Sequence, residues 1–177
     1  KSFKRFEISS LSLLCYISYT TLENKEKLHH PFKEEIQQME AWKQHIAVDS
    51  RHKLLFIKRE IEDISFVDVG TELSTAIEPA LQDKRLSMMA EETLDKIIDQ
   101  YTIHDPDVGD YVAIRNIGIL FEPALHINLH AKVDSWSRTR VLIIHHEGTI
   151  HNHVFFLTTN NETKYSLNLK DITYKTL

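Results

Sequence analysis

The sequence predicts an α/β protein, a three-layer sandwich with a mostly parallel central sheet and antiparallel strands added at the C-terminal side. Two apolar runs, Tyr111–Phe121 and Val141–Ile144, carry this prediction. Short runs rich in Val and Ile are typical of strands buried on both faces, as in a parallel sheet under helices. The polar stretch between the runs is long enough for one helix with its turns. Residues 111–147 are therefore predicted to form a β-α-β crossover.

One amphipathic helix is predicted in the N-terminal part of the chain, at about residues 31–47. Pro31 stands where a first helical residue is favoured, and large apolar side chains recur at three- and four-residue spacing. These side chains are Phe32, Ile36, Met39, Trp42 and Ile46. Residues 1–30 fit either strands or one helical face, and we predict strand or mixed structure for them. The chain is predicted to be a single domain, 1–177, in which residues 1–50 are the less defined segment.

Two short strands, Lys53–Ile57 and Ile64–Val69, are predicted next, with only six residues between them. A parallel crossover usually needs about a dozen residues. The two strands are therefore predicted either to pair antiparallel or not to be neighbours. Two helices follow, at 71–81 and 88–101, and then a turn at Asp105–Gly109.

The C-terminal side is predicted to consist of antiparallel strands. After the crossover, Gly148–Asn152 is predicted to turn the chain, and Val154–Thr158 returns as a strand. Tyr165–Leu169 alternates apolar and polar side chains, as a half-exposed strand does. The last seven residues are predicted to form an edge strand.

Composition narrows the class of protein. The chain has 177 residues, is 42% hydrophobic and 27% charged, and carries a net charge of −5, which is typical of a soluble globular protein. The acidic balance gives no support to a nucleic-acid groove, although a local basic patch stays open. The single cysteine, Cys15, excludes an internal disulfide and favours a reducing, cytoplasmic location. No apolar run reaches the roughly 20 residues of a membrane helix, so no membrane association is predicted.

Several short motifs lie between Phe66 and Gly148. They are Asn116-Ile117, Leu120-Phe121-Glu122-Pro123, Ser137-Arg138, the run Val141–Ile144 and Gly148. In their order and types they resemble the small P-loop ATPase-like protein of BREX phage-defence systems (BrxF). The resemblance implies a P-loop-like fold and a place in a bacterial anti-phage defence complex, with protein partners from that complex.

The chain departs from this family where nucleotide chemistry would be expected. The resemblance places the phosphate loop at Lys58–Asp63, which reads KREIED and contains three acids and no glycine. A phosphate loop is rich in glycine because successive backbone N–H groups must point at the phosphates. The position of the Mg²⁺-organising acid falls on Arg115. The resemblance therefore implies a degenerate pseudo-ATPase without catalytic residues or cofactor, which acts as a non-catalytic accessory or interaction subunit.

Two surfaces are predicted as binding sites. The stripe Phe32, Ile36, Met39 and Trp42 is predicted to bind a protein partner or a second copy of the chain, since apolar helix faces left uncovered mark interfaces. Ordinary core packing is the alternative for this stripe. The cations Arg115, Arg138 and Arg140 are candidates for phosphate or nucleic-acid contact, and helix capping is the alternative for the last two.

The rival function is a metal-dependent nuclease or an atypical NTPase. His126 and His130 have the spacing of one helix face, and His145, His146, His151 and His153 cluster around one turn. No Cys or H-E-x-x-H pattern supports a metal centre, so no metal is predicted. An enzyme would require at least three residues of a particular acidic and histidine set to meet in one pocket. That set is Asp68, Glu72, Glu122, His126, His130, His145 and Glu147.

Overall fold

The computed structural model describes residues 42–46, 50–158 and 163–177. Its α-helices are α1 (Val69–Ile77), α2 (Leu86–Gln100) and α3 (Leu129–Thr139), and residues 42–44, within the predicted helix at 31–47, are also helical. Its strands are β1 (Leu54–Ile57), β2 (Phe66–Asp68), β3 (Ile103–Asp105), β4 (Gly109–Arg115), β5 (Val141–His145), β6 (Thr149–His151), β7 (Val154–Phe156), β8 (Ser166–Asn168) and β9 (Tyr174–Thr176). Short 3₁₀ helices lie at Glu78–Ala80, Ile117–Phe121, Pro123–Leu125 and Thr163–Tyr165.

The central sheet confirms the predicted α/β class. Its strand order is β2-β4-β5-β1-β9, all parallel, and β3 pairs antiparallel with the first half of β4. The predicted crossover is β4-α3-β5, with Tyr111 opposite Val141 and Ile114 opposite Ile144. The hairpin between β3 and β4 contains the predicted turn, and the tail forms the predicted edge strand β9.

The connection between β1 and β2 explains how two strands so close in sequence lie in one parallel sheet. They are not neighbours, because β5 and β4 lie between them. Phe66 pairs with Ala113, Ala113 with Ile143, and Ile143 with Leu55, so β2 begins level with the middle of β1. The chain therefore travels back by only about two residues, and residues 58–65 suffice without a crossover helix. Ile61 and Ile64 of this connection pack on the sheet.

The two faces of the sheet bury different partners. Alternate strand residues point to opposite faces, and Leu54, Phe56, Val112 and Leu142 lie on the face that packs with α1, α2 and α3. Leu55, Ile57, Ala113, Val141 and Ile143 lie on the other face, with Trp42, Ile46 and Ile64. The two clusters make the sheet the centre of the core.

A second sheet, β6-β7-β8, is antiparallel and packs on the helix-covered face. Phe155 of β7 stacks on Phe56 of β1 with ring centroids 5.3 Å apart, and both side chains are fully buried. The predicted turn at Gly148–Asn152 is correct only at its two ends. The chain bends at Gly148, β6 occupies the middle of the range, and the chain turns again at Asn152 and His153, both with positive φ.

The run Tyr111–Phe121 is not one strand. The strand β4 ends at Arg115, Asn116 takes a left-handed conformation (φ 54°), and Ile117–Phe121 is a 3₁₀ helix. Leu120 is buried, as expected for a member of this apolar run. Phe121 is only partly buried and lies at the edge of the core, with its ring centroid 6.1 Å from that of Phe155.

Candidate functional site

The neighbouring parallel strands β4, β5 and β1 end at the same edge of the sheet, and the chain leaves β5 and β1 toward opposite faces of the sheet. The segment after β5 leads to the second sheet on the helix-covered face, while the segment after β1 crosses the opposite face. In open α/β sheets, ligands bind in the crevice outside the strand ends at such a switch point. A cavity of about 440 Å³ lies here. Its lining is Glu60, Arg115, Asn116, Ile117, Gly118, His145, His146, Glu147 and Leu157.

An ion pair crosses this crevice. The Arg115 guanidinium, at the end of β4, donates from Nη1 to Glu60 Oε1 at 2.9 Å, and Glu60 comes from the β1–β2 connection. The pair with Glu60 raises the pKa of Arg115. A second carboxylate, Asp68, lies 3.9 Å from Arg115 Nε. Each member of the Glu60–Arg115 pair is about two-fifths exposed, so the pair adds little to stability and mainly fixes where these charges lie.

Asn116 is held in place beside this ion pair. Its Nδ2 donates to Asp68 Oδ1 at 2.8 Å, and the same carboxylate caps α1 by accepting the Thr71 N–H. The Thr71 bond lowers the pKa of Asp68. A Cβ on Gly70 would stand 2.4 Å from Asn116 Nδ2, so this position must be glycine for the asparagine to fit. The end of β4 is thus clamped to the start of α1.

His146 forms the inner wall of the crevice. Its side chain is buried, and its Nδ1 has no hydrogen-bond partner among the described residues. The ring meets Phe56 and Phe155 edge-on, at centroid distances of 5.5 and 5.1 Å. Burial lowers the pKa of His146, so the imidazole is neutral near pH 7.

The residues of the predicted enzyme set do not converge. Of the seven, only His145 and Glu147 line this cavity, while Asp68 caps a helix and Glu122 lines a different cavity. His126 precedes α3 in a left-handed conformation, so His126 and His130 do not share a helix face. Within residues 42–46, 50–158 and 163–177, no group of three or more His, Cys, Asp or Glu side chains is arranged to hold a metal ion.

The three predicted cations do not form one surface. Arg138 pairs with Asp134 at 2.7 Å, and Arg140 pairs with Asp99 at 2.8 Å. These arginines flank the start of β5, whereas Arg115 is the last residue of β4, at the opposite, C-terminal end of the sheet. A joint phosphate or nucleic-acid site of all three is therefore not formed.

Trp42 lies in the core. It is 4% exposed, its ring centroid is 5.5 Å from that of Tyr111, and it packs with Leu55 and Ile143. The neighbouring Lys43 Nζ contacts Asp105 at 2.8 Å and Asp107 at 2.6 Å, which ties this segment to the β3–β4 hairpin. Trp42 is thus a core residue, which is the alternative that the sequence left open for this stripe. Phe32, Ile36 and Met39 lie outside the described residues.

Sequence reasoning did not select Glu60, Asn116 or His146 as site residues. The signal for Glu60 in the sequence is that it is one of the three acids in Lys58–Asp63, a segment unsuited to a phosphate loop. Asn116 was noted only as part of a motif. His146 belongs to the histidine cluster around one turn, but nothing in the sequence shows that it, rather than His145, His151 or His153, is the buried one.

The comparisons with known proteins add no relative. No family model, no curated protein and no solved structure matches the chain. Among the described residues, no helix has the length and hydropathy needed to cross a membrane.

Proposed function

We propose that this protein is a non-catalytic interaction subunit, a P-loop-like domain that neither hydrolyses nucleotide nor binds it tightly. The Glu60–Arg115 ion pair carries the proposal. The resemblance expects a phosphate loop at the position of Glu60 and a Mg²⁺-organising acid at the position of Arg115. In this chain the first position carries a carboxylate and the second a cation, and the two side chains pair with each other.

The electrostatics of the crevice oppose a polyphosphate. Two carboxylates, Glu60 and Glu147, line it against the single guanidinium of Arg115, which is already paired. The connection after β1 has no glycine and does not run into a helix, so it supplies neither the amide cradle nor the helix dipole that phosphate sites use.

The setting in an anti-phage defence complex follows from the resemblance of residues 66–148 to the BREX family. In that setting the chain contributes protein contacts, with other subunits or with a second copy. The acidic net charge of −5 gives no support to direct nucleic-acid binding.

Calorimetry with Mg-ATP tests the proposal. With protein at tens of micromolar we expect no saturable heat and no phosphate release. A dissociation constant of about 1 μM, or some −8 kcal/mol, would overturn the proposal, because such affinity needs an organised phosphate cradle. The Glu60→Gln variant breaks the ion pair without adding glycine amides. Comparing the Mg-ATP affinity of this variant with that of wild type separates the effect of the Glu60 carboxylate from the effect of the missing glycine-rich loop.

A further inference from the structure

A second cavity, of about 540 Å³, lies between α1, the start of α2 and the 3₁₀ segments that follow β4. We name it the α1–α2 groove. Its floor and walls are aliphatic: Ile77, Leu81, Leu86, Ile119 and Leu125. Leu81 is 54% exposed, one of the few large apolar side chains left in solvent among the described residues. Apolar surface of this kind, rimmed by polar groups, marks a binding site.

The rim of the groove is acidic. Glu78 and Glu122 line it, both are exposed, and neither carboxylate has an ion pair or hydrogen-bond partner within the described part of the chain. Residues 69–100 carry seven acidic and three basic side chains, and two of the acids, Asp95 and Asp99, pair with Lys132 and Arg140 from outside this stretch, so the local balance remains acidic by two charges. Complementary charge across an interface steers association and sets its specificity.

We propose that the α1–α2 groove docks an amphipathic helix of a partner protein, whose apolar stripe seats on Leu81 and whose flanking lysines or arginines meet Glu78 and Glu122. This is the helix-in-groove mode of recognition. The inference rests on the proposed function only in that the protein acts through partner contacts, and it names the chemistry of one partner.

Other occupants fit the groove less well. Two copies of the chain meeting here would bring two acidic rims together, and like charges oppose such a contact. A small-molecule site would hold convergent polar groups inside to orient the ligand, whereas the polar lining residues Ser74, Thr75, Glu78 and Glu122 are all exposed. Nucleic acid is disfavoured by the same negative charge.

Fluorescence anisotropy with the full chain tests this docking. The probes are two labelled helical peptides of about 18 residues, or five turns. Both carry leucines at i, i+3, i+4 and i+7, with lysines at the flanking positions in one peptide and glutamates in the other. We expect the lysine peptide to bind saturably and the glutamate peptide to bind at least about tenfold more weakly.

Matched variants locate the binding site. Leu81→Ser should weaken the lysine peptide about tenfold or more, while Met88→Ser, an equally exposed site (50%) outside the groove lining, should not. The double variant Glu78→Lys and Glu122→Lys should reverse the preference between the peptides. The single variant Glu92→Lys, on the exposed side of α2, should leave the preference unchanged.

Three results would overturn the docking proposal: no saturable binding, equal binding of the two peptides, or equal loss in Leu81→Ser and Met88→Ser. Light scattering of the protein alone gives a fourth, since a dimer dispersed by Leu81→Ser would assign the groove to a second copy. Circular dichroism checks that each variant is folded. The peptide titrations and the Mg-ATP calorimetry are independent, so a failure of one proposal is distinguishable from a failure of the other.

Discussion

Replacing His146 with phenylalanine is expected to flatten the pH dependence of unfolding. The side chain is 6% exposed and lies edge-on against Phe56 and Phe155, with Nδ1 unpartnered among the described residues. Burial is the main reason that its pKa is lowered in the folded state, and the nearby charges of Lys58 and His145 lower it further. The polar backbone of Gly148 opposes this lowering of the pKa only in part.

The sign of the effect follows from linkage. The unfolded chain, in which the pKa of a histidine is about 6.5, takes up a proton before the folded chain does. The contribution of His146 to stability is therefore fully present above about pH 6.5. It falls as the pH drops, until the lowered pKa of the folded state is passed. The slope for one group is at most about 1.4 kcal/mol per pH unit. At a few °C per kcal/mol for a domain of this size, one unit of pH corresponds to a melting shift of about 3–5 °C.

Urea unfolding followed by tryptophan fluorescence between about pH 5 and 8 measures this slope. His146→Phe keeps an aromatic ring against its two neighbours, so the variant should remain folded and lose slope relative to wild type. His151→Phe, at an exposed position on β6, is the matched control and should keep the wild-type slope. Parallel profiles for His146→Phe and wild type, or equal flattening in the control, would refute the reasoning.

Two further substitutions test the packing around the sheet. Trp42→Ala should cost about 3–5 kcal/mol in unfolding free energy, because the side chain is buried; an unchanged melting temperature together with loss of a partner would show that Trp42 belongs to an interface. Gly70→Ala should destabilise by about 1–3 kcal/mol, although alanine favours helices, because its Cβ would collide with Asn116. Ala76→Gly, on the exposed side of α1, is the control and should lower the unfolding free energy by about 1 kcal/mol, the usual cost of glycine in a helix. A Gly70→Ala variant more stable than wild type would contradict the close contact between Gly70 and Asn116.

Local pattern in the sequence was enough for much of the secondary structure. The crossover β4-α3-β5 was predicted from two apolar runs and the length between them. The end of the first run was wrong, because an unbroken apolar run does not reveal where a buried strand stops. The left-handed Asn116 ends that strand, and the chain continues as a 3₁₀ helix whose side chains still reach the core.

The sequence by itself determined the class of the fold, most of its elements and the absence of a glycine-rich phosphate loop, since these follow from short-range periodicity and composition. Only the tertiary structure decided which residues meet. Glu60 and Arg115 are 55 residues apart and come together because β1 and β4 lie in one sheet with their C-terminal ends at the same edge. That juxtaposition depends on strand order and register, which arise from long-range packing. The same holds for the α1–α2 groove, whose apolar lining comes from three separate segments that each look like ordinary core in the sequence.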